Sequence, residues 1–176
     1  MEIVDLLNDC HEYTGEVSEK NNIPKGMYKT SVHVWIINKK GDLLLQKRGN
    51  TAKKFPNYWS NTGGTVQAGE TPIAGALREI KEELGLDIKK DELKYIATYK
   101  RLIDYAEVYL LEKDINLNEI TMQEDEVQDV RYASLKEFEE MINKGEGVES
   151  SLPFLKNYFK ENLKEIKLWK QMKKYH

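Results

Sequence analysis

One stretch, Gly64–Leu86 (GTVQAGETPIAGALREIKEELGL), constrains this chain more than any other. Thr71 suits an N-cap, Pro72 the first helical position, and Gly85 a left-handed cap at the far end. The spacing predicts a helix of about three to four turns between them. At about 100° per residue, Ile73, Leu77, Ile80 and Leu84 fall within a stripe about 60° wide that must be buried. Glu79, Glu82 and Glu83 fall on the opposite side, spread over about 100°, and Glu82 and Glu83 are expected to face outward. Like charges three and four residues apart destabilise a helix by roughly a few tenths of a kcal/mol per pair. The arrangement calls for something that rewards it.

Hard divalent cations supply that reward. Mg²⁺ prefers carboxylate oxygens and water, and is usually held by a few carboxylates together with substrate phosphates. Carboxylates on adjacent helical turns can place such ions against one diphosphate, neutralising it and acidifying an attacking water. Arg78 lies between the acidic face and the apolar stripe, where its fork can pair with a glutamate and orient it. Gly64 permits a close approach of backbone to that site. The fragment LREIKEEL alone reads as an ordinary solvated helix face. Gly64, Glu70 and Gly85 at their offsets reverse that reading.

The whole stretch matches the Nudix box, G-x5-E-x7-R-E-U-x-E-E-x-G-U with U a bulky aliphatic residue. Gly64, Glu70, Arg78, Glu79, Glu82, Glu83 and Gly85 supply the fixed letters, and Ile80 and Leu86 the aliphatic slots. The chain therefore resembles a Nudix hydrolase over roughly residues 30 to 145. That resemblance implies an α/β/α sandwich with a mixed β-sheet. It also implies metal-dependent cleavage of a diphosphate linkage in a nucleoside diphosphate joined to another moiety, or in a related organic diphosphate. The metal expected is Mg²⁺, with Mn²⁺ as a substitute, and the ligands it implies are Gly64, Glu79, Glu82 and Glu83. Glu82 and Glu83 are the candidates for base, and Arg78 and Glu70 orient the others.

Several residues outside the box join the candidate site. Glu124, Asp125 and Glu126 open a strand-like segment resembling the downstream part of many Nudix enzymes, which often draw a further carboxylate from it; Glu126 is the choice here. Upstream, Arg48, Lys53 and Lys54 are candidates for contacts to substrate phosphates, Arg as a bidentate fork and Lys as a point charge. Tyr58 and Trp59 fit either a stacking role or the core. His33, within the apolar run SVHVWII, reads as a satisfied strand histidine, and Cys10 as an inert thiol.

Two alternatives stand beside hydrolysis. The stretch GDLLLQKRGNTAKKFPNYWSN resembles isopentenyl-diphosphate isomerases, which share the fold. Those enzymes need a cysteine just after the Trp-x-Asn segment. Here it reads Trp59-Ser60-Asn61-Thr62-Gly63-Gly64, and the histidines are His11, His33 and His176 alone. A non-catalytic nucleotide-sensing domain would be free to lose the carboxylates that this chain keeps.

Composition fits a single domain over 1–176, with a hairpin and loop over 1–29 and a closing helix over 151–176. The net charge of −3 gives no general drive toward nucleic acid or an anionic membrane. The acidic start, MEIVDLLNDC, is unlike a secretory signal, and no run approaches the roughly 18 apolar residues of a membrane span. A small-molecule partner and a cytoplasmic location are expected. One cysteine excludes an intramolecular disulfide framework and a cysteine-based zinc cluster.

Alternation predicts a hairpin from strands 2–7 and 11–18, with Thr14-Gly15 as a further turn. It also predicts strands at 31–37 and 42–47 joined by Asn38-Lys39-Lys40-Gly41, and strands near 94–103, 107–112 and 127–133. Helices are expected at 135–144 and from about 151 to 172, the latter packed through Leu155, Phe159, Leu163 and Ile166.

Overall fold

The computed structural model describes residues 2–172, with side chains described as far as Asn162. Strands run in the order β1 (Ile3–Leu7), β2 (Tyr13–Glu19), β3 (Lys29–Ile37), β4 (Leu43–Arg48), β5 (Trp59–Ser60) and β6 (Thr62–Thr65). Helix α1 (Pro72–Leu84) follows, then β7 (Leu93–Lys100), β8 (Asp104–Glu112), β9 (Val127–Ala133), α2 (Leu135–Asn143) and α3 (Leu152–Met172). Among the described residues, seven strands form one mixed sheet, whose path β5-β4-β3-β8-β7 is joined by β6 on β3 and β9 on β4. The β3–β8 pair is parallel and the other pairs are antiparallel.

Central β3 is buried along its whole length, and its alternation sorts two cores. Val32, Val34 and Ile36 pack with Ala76, Ile80 and Leu84 of α1. Trp35 and Ile37 pack on the other face with Phe138 of α2 and Leu152 and Leu155 of α3. This is the α/β/α arrangement expected. Leu155 and Phe159 pack as the helical spacing predicts, whereas the side chains of Leu163 and Ile166 lie outside the described residues. No helix is long and apolar enough to cross a membrane, among the described residues.

Several boundaries differ from the sequence reading for identifiable reasons. β2 begins at Tyr13 because His11 takes a positive φ of 64° in a turn closed by the Asn8 side chain, which accepts from the N–H groups of Cys10 and Glu12. Gly15, read as a turn, lies inside β2 at φ 83°, where the pairing with β1 shifts register. β7 stops at Lys100 and β8 starts at Asp104, since the Arg101 N–H donates to the Asp104 carbonyl at 2.7 Å across a tight turn. Strands β5 and β6 were not anticipated. β5 is only two residues long and Gly63 and Gly64 weaken the strand preference of β6, so it is pairing with β4 and β3 that makes them strands.

Candidate active site

Helix α1 is capped as its sequence dictates. The Thr71 hydroxyl accepts from the Ala74 N–H at 3.4 Å, Pro72 opens the helix, and Gly85 closes it at φ 70°. Glu79 and Glu83, one turn apart, lie toward the backbone of β6. Both are buried, at 6% and 4% exposed, whereas the Glu82 side chain is half exposed. The outward orientation expected for Glu83 is therefore corrected. A helix face opposite its own apolar stripe is still covered when a neighbouring strand folds over it.

β6 provides that cover. A Cβ built on Gly64 would collide with the Glu79 carboxylate, so only glycine fits there. The Gly63 N–H donates to Glu83 Oε2 at 3.2 Å. Gln46 of β4, 3% exposed, hydrogen-bonds the Glu83 carboxylate with its side chain and accepts from the Thr62 hydroxyl at 2.9 Å. The sequence reading missed Gln46, Thr62 and Gly63. The available signal was Gln46 itself, a polar residue two positions from Leu44 on the inward face of LLLQKR.

Arg78 gathers the remaining carboxylates. Its Nε and Nη2 donate to the two oxygens of Glu70 at 2.8 and 3.1 Å, and Nη2 also reaches the Thr65 carbonyl at 2.8 Å. Nη1 donates to Glu79 Oε1 and Glu82 Oε2, each at 2.9 Å. The orienting pair proposed from sequence is thus in contact. The hydrogen bond to Glu70, with the nearby carboxylate charge, raises the Arg78 pKa. Burial works against ionisation of Glu70, but Arg78 and the Gln67 N–H outweigh it and its pKa is lowered.

Glu79 and Glu83 both shift in the direction opposite to Glu70. Burial raises the Glu79 pKa despite Arg78, and Glu82 and Glu126 add to the rise. Burial pushes Glu83 up to about 8; Gln46 and Gly63 oppose the rise, and the charges of Glu79 and Glu126 reinforce it. Glu126 is exposed yet close enough for both buried carboxylates to feel it. Its backbone is fixed there by the Gly49 N–H, which donates to the Glu126 carbonyl at 2.8 Å. A Cβ at Gly49 would lie 2.5 Å from the Asp125 carbonyl oxygen, so Gly49 is required for this approach.

Of the basic candidates, Arg48 ends β4 opposite Val127, next to Glu126, and its Nε donates to the Lys54 carbonyl at 3.1 Å. Lys53 is exposed and makes no hydrogen bond or ion pair among the described residues. Trp59 packs into the core beside α2 and α3, with the Arg131 guanidinium 5.6 Å from its ring. His33 is a satisfied strand residue: Nδ1 lies 3.0 Å from Ser150 Oγ, and burial lowers its pKa to about 4.

The donor set suits a hard divalent cation. Two buried carboxylates without full compensation, a third at the rim and a fourth from the β9 loop offer oxygen ligands only. No three acidic, histidine or cysteine side chains among the described residues are arranged to share one ion, since Arg78 draws Glu79 and Glu82 to itself.

Residues 27–158 match the NUDIX domain. The chain belongs to the Nudix family. It is 34% identical to an uncharacterized Nudix hydrolase of Listeria innocua over 169 residues, 95% of this chain and 96% of the relative. It is also 28% identical to an isopentenyl-diphosphate delta-isomerase of Photorhabdus laumondii, covering 81% of this chain and 82% of that protein. A crystal structure from Deinococcus radiodurans superposes with a TM-score of 0.73 at 24% identity, covering 88% of this chain and 96% of that one. The chain is accordingly a Nudix-type enzyme, a pyrophosphohydrolase, on the expected sandwich fold. Enzymes of the family generally use divalent metals and act on small molecules.

Proposed function

We propose that this Nudix enzyme hydrolyses the diphosphate linkage of a nucleoside diphosphate joined to another group, or of a related organic diphosphate. The observation that carries the reading is the convergence of buried Glu79 and Glu83 on the bare backbone of Gly63–Gly64, with Glu126 brought to the same place. Gly64, Glu79, Glu82 and Glu83 would hold Mg²⁺, or Mn²⁺ in its stead, which when bound neutralises the diphosphate and acidifies the attacking water. Arg78 and Glu70 fix where Glu79 and Glu82 stand. Gln46 and the Gly63 N–H fix Glu83. Glu82, Glu83 and Glu126 are the groups able to take a proton from water at that place. Arg48, Lys53 and Lys54 supply the positive rim for the substrate's phosphates.

Isomerisation is the weaker reading. The segment Trp59-Ser60-Asn61-Thr62-Gly63-Gly64, where those enzymes need their cysteine, holds none, and the sole cysteine, Cys10, is exposed in the β1–β2 turn. The test is a mass-spectrometric screen of nucleoside triphosphates, dinucleotides, nucleotide sugars and isopentenyl diphosphate, with Mg²⁺ or EDTA. Metal-dependent cleavage of a diphosphate bond supports the proposal. Ligand retained intact with Mg²⁺ present would refute it in favour of a sensor, and rearranged isopentenyl diphosphate would refute it in favour of the isomerase.

A further inference from the structure

The sheet face opposite α1 holds a second group of buried polar side chains that the catalytic reading does not use. Lys29, Ser31 and His33 alternate along β3 on the face that Trp35 and Ile37 share, and all three are buried. Lys29 is 9% exposed. Its ammonium donates to the Lys20 carbonyl at 2.9 Å and makes no ion pair among the described residues. Asp104 stands opposite Lys29 in register, but Arg101 claims it: Nε donates to Oδ1 at 2.7 Å and Nη2 pairs with Oδ2. Arg101 Nη2 also donates to Ser31 Oγ at 3.2 Å, and the side chain remains 41% exposed.

The charges do not balance locally. Lys20 is paired with Glu2, and Arg101 with Asp104. Lys29 and Lys54 have no carboxylate partner among the described residues. Burial is the main influence lowering the Lys29 pKa; Asp104 opposes it, while the nearby charges of Lys20, Arg101 and Lys54 add to it. A buried ammonium among other cations is unfavourable unless an anion joins it.

The cluster also lies within reach of the catalytic strand. His33 pairs with Gly63 and Ser31 with Thr65. Lys29 is four residues along β3 from His33, so at about 3.3 Å per residue and about 4.8 Å between strands its Cα is about 14 Å from that of Gly63. β6 pairs with β3 alone among the described strands, and Gly63 and Gly64 are partly exposed. A substrate with its diphosphate at Gly63–Gly64 has to pass this edge of β6 to reach Lys29 on the other face.

We propose that Lys29 and Arg101 form a subsite for a phosphate group carried by the moiety to which the diphosphate is joined. Arg101, braced by Asp104, presents its free N–H edge, and Lys29 supplies a point charge. The assignment selects substrates whose joined moiety carries its own phosphate over diphosphates joined to an uncharged alkyl group. It rests on the hydrolase reading for what holds the other end.

The test begins without turnover. Inorganic phosphate is titrated into the full chain in EDTA and followed by amide NMR. Saturable shifts are expected at residues 29–31 and 101–104. Lys29→Met, which keeps the side-chain volume, should weaken them at least tenfold, and Glu83→Gln not at all. No shift at those residues, or equal affinity in Lys29→Met, overturns the subsite. The second arm uses a cleaved substrate with and without an additional phosphate. Lys29→Met should raise KM at least tenfold for the phosphorylated member only; an equal rise for both overturns it. Failure of the hydrolase reading leaves the phosphate titration unaffected, so the two ideas fall separately.

Discussion

Replacing Glu83 by Gln should make the protein more stable and nearly inactive at once. Glu83 has a folded-state pKa of about 8 against an ordinary 4.5. Because the folded value is raised, the associated stability is fully present below pH 4.5 and is lost as pH rises toward 8. At pH 7 the unfolded chain ionises this carboxyl and the folded chain does not, over a span of about 2.5 pH units at about 1.4 kcal/mol each, or about 3 kcal/mol. A glutamine cannot accept from both the Gly63 N–H and Gln46 in the same way, which returns about 1 kcal/mol. The variant should therefore gain about 2 kcal/mol at pH 7 in EDTA, with the gain vanishing near pH 5. Urea denaturation of both proteins at pH 5, 6, 7 and 8 measures this. Mg²⁺ should then stabilise the parent more than the variant, by mass action on the folded state. Turnover of the variant should drop by about 10² or more. A stability difference independent of pH, or a less stable variant at pH 7, would falsify the account of Glu83 as a buried, uncompensated carboxyl.

Other outcomes follow from the same geometry. Gly64→Ala should displace the Glu79 carboxylate and abolish most turnover; circular dichroism would check that the fold survives, and wild-type rates would contradict the packing. Gln46→Leu leaves the Thr62 hydroxyl without its acceptor and removes one donor from Glu83. It should destabilise by about 1–3 kcal/mol and weaken Mn²⁺ binding measured by electron paramagnetic resonance. His33 has its pKa lowered to about 4, so its stabilising contribution is present above the ordinary value of 6.5 and is lost as pH falls toward 4. The acid limb of a stability–pH curve should therefore be shallower in His33→Gln, and an unchanged limb would count against the burial argument.

What was legible in the sequence is local. Caps, the apolar stripe of α1, the alternation of β3 and β8, and the box carboxylates all follow from residue type and spacing, because they depend on neighbours within a few positions. Val127–Ala133 emerged with its predicted bounds for that reason. The sequence favoured Glu126 over Glu124 only by its place at the head of β9, with no physical reason for the choice. The close packing of Gly49 on Asp125 is what brings Glu126 to the buried pair.

The sequence by itself determined the helix, its family and the oxygen-rich chemistry of one face. Tertiary structure alone decided that Glu83 is buried while Glu82 is not. A helix specifies the angle between two side chains, but not which of them a distant strand will cover. The same holds for Lys29, an ordinary surface residue by composition, whose burial beside Arg101 and Asp104 arises only when β3, β7 and β8 meet. Desolvation is a property of the assembled neighbours, and it is desolvation that shifts the pKa values of Glu83 and Lys29.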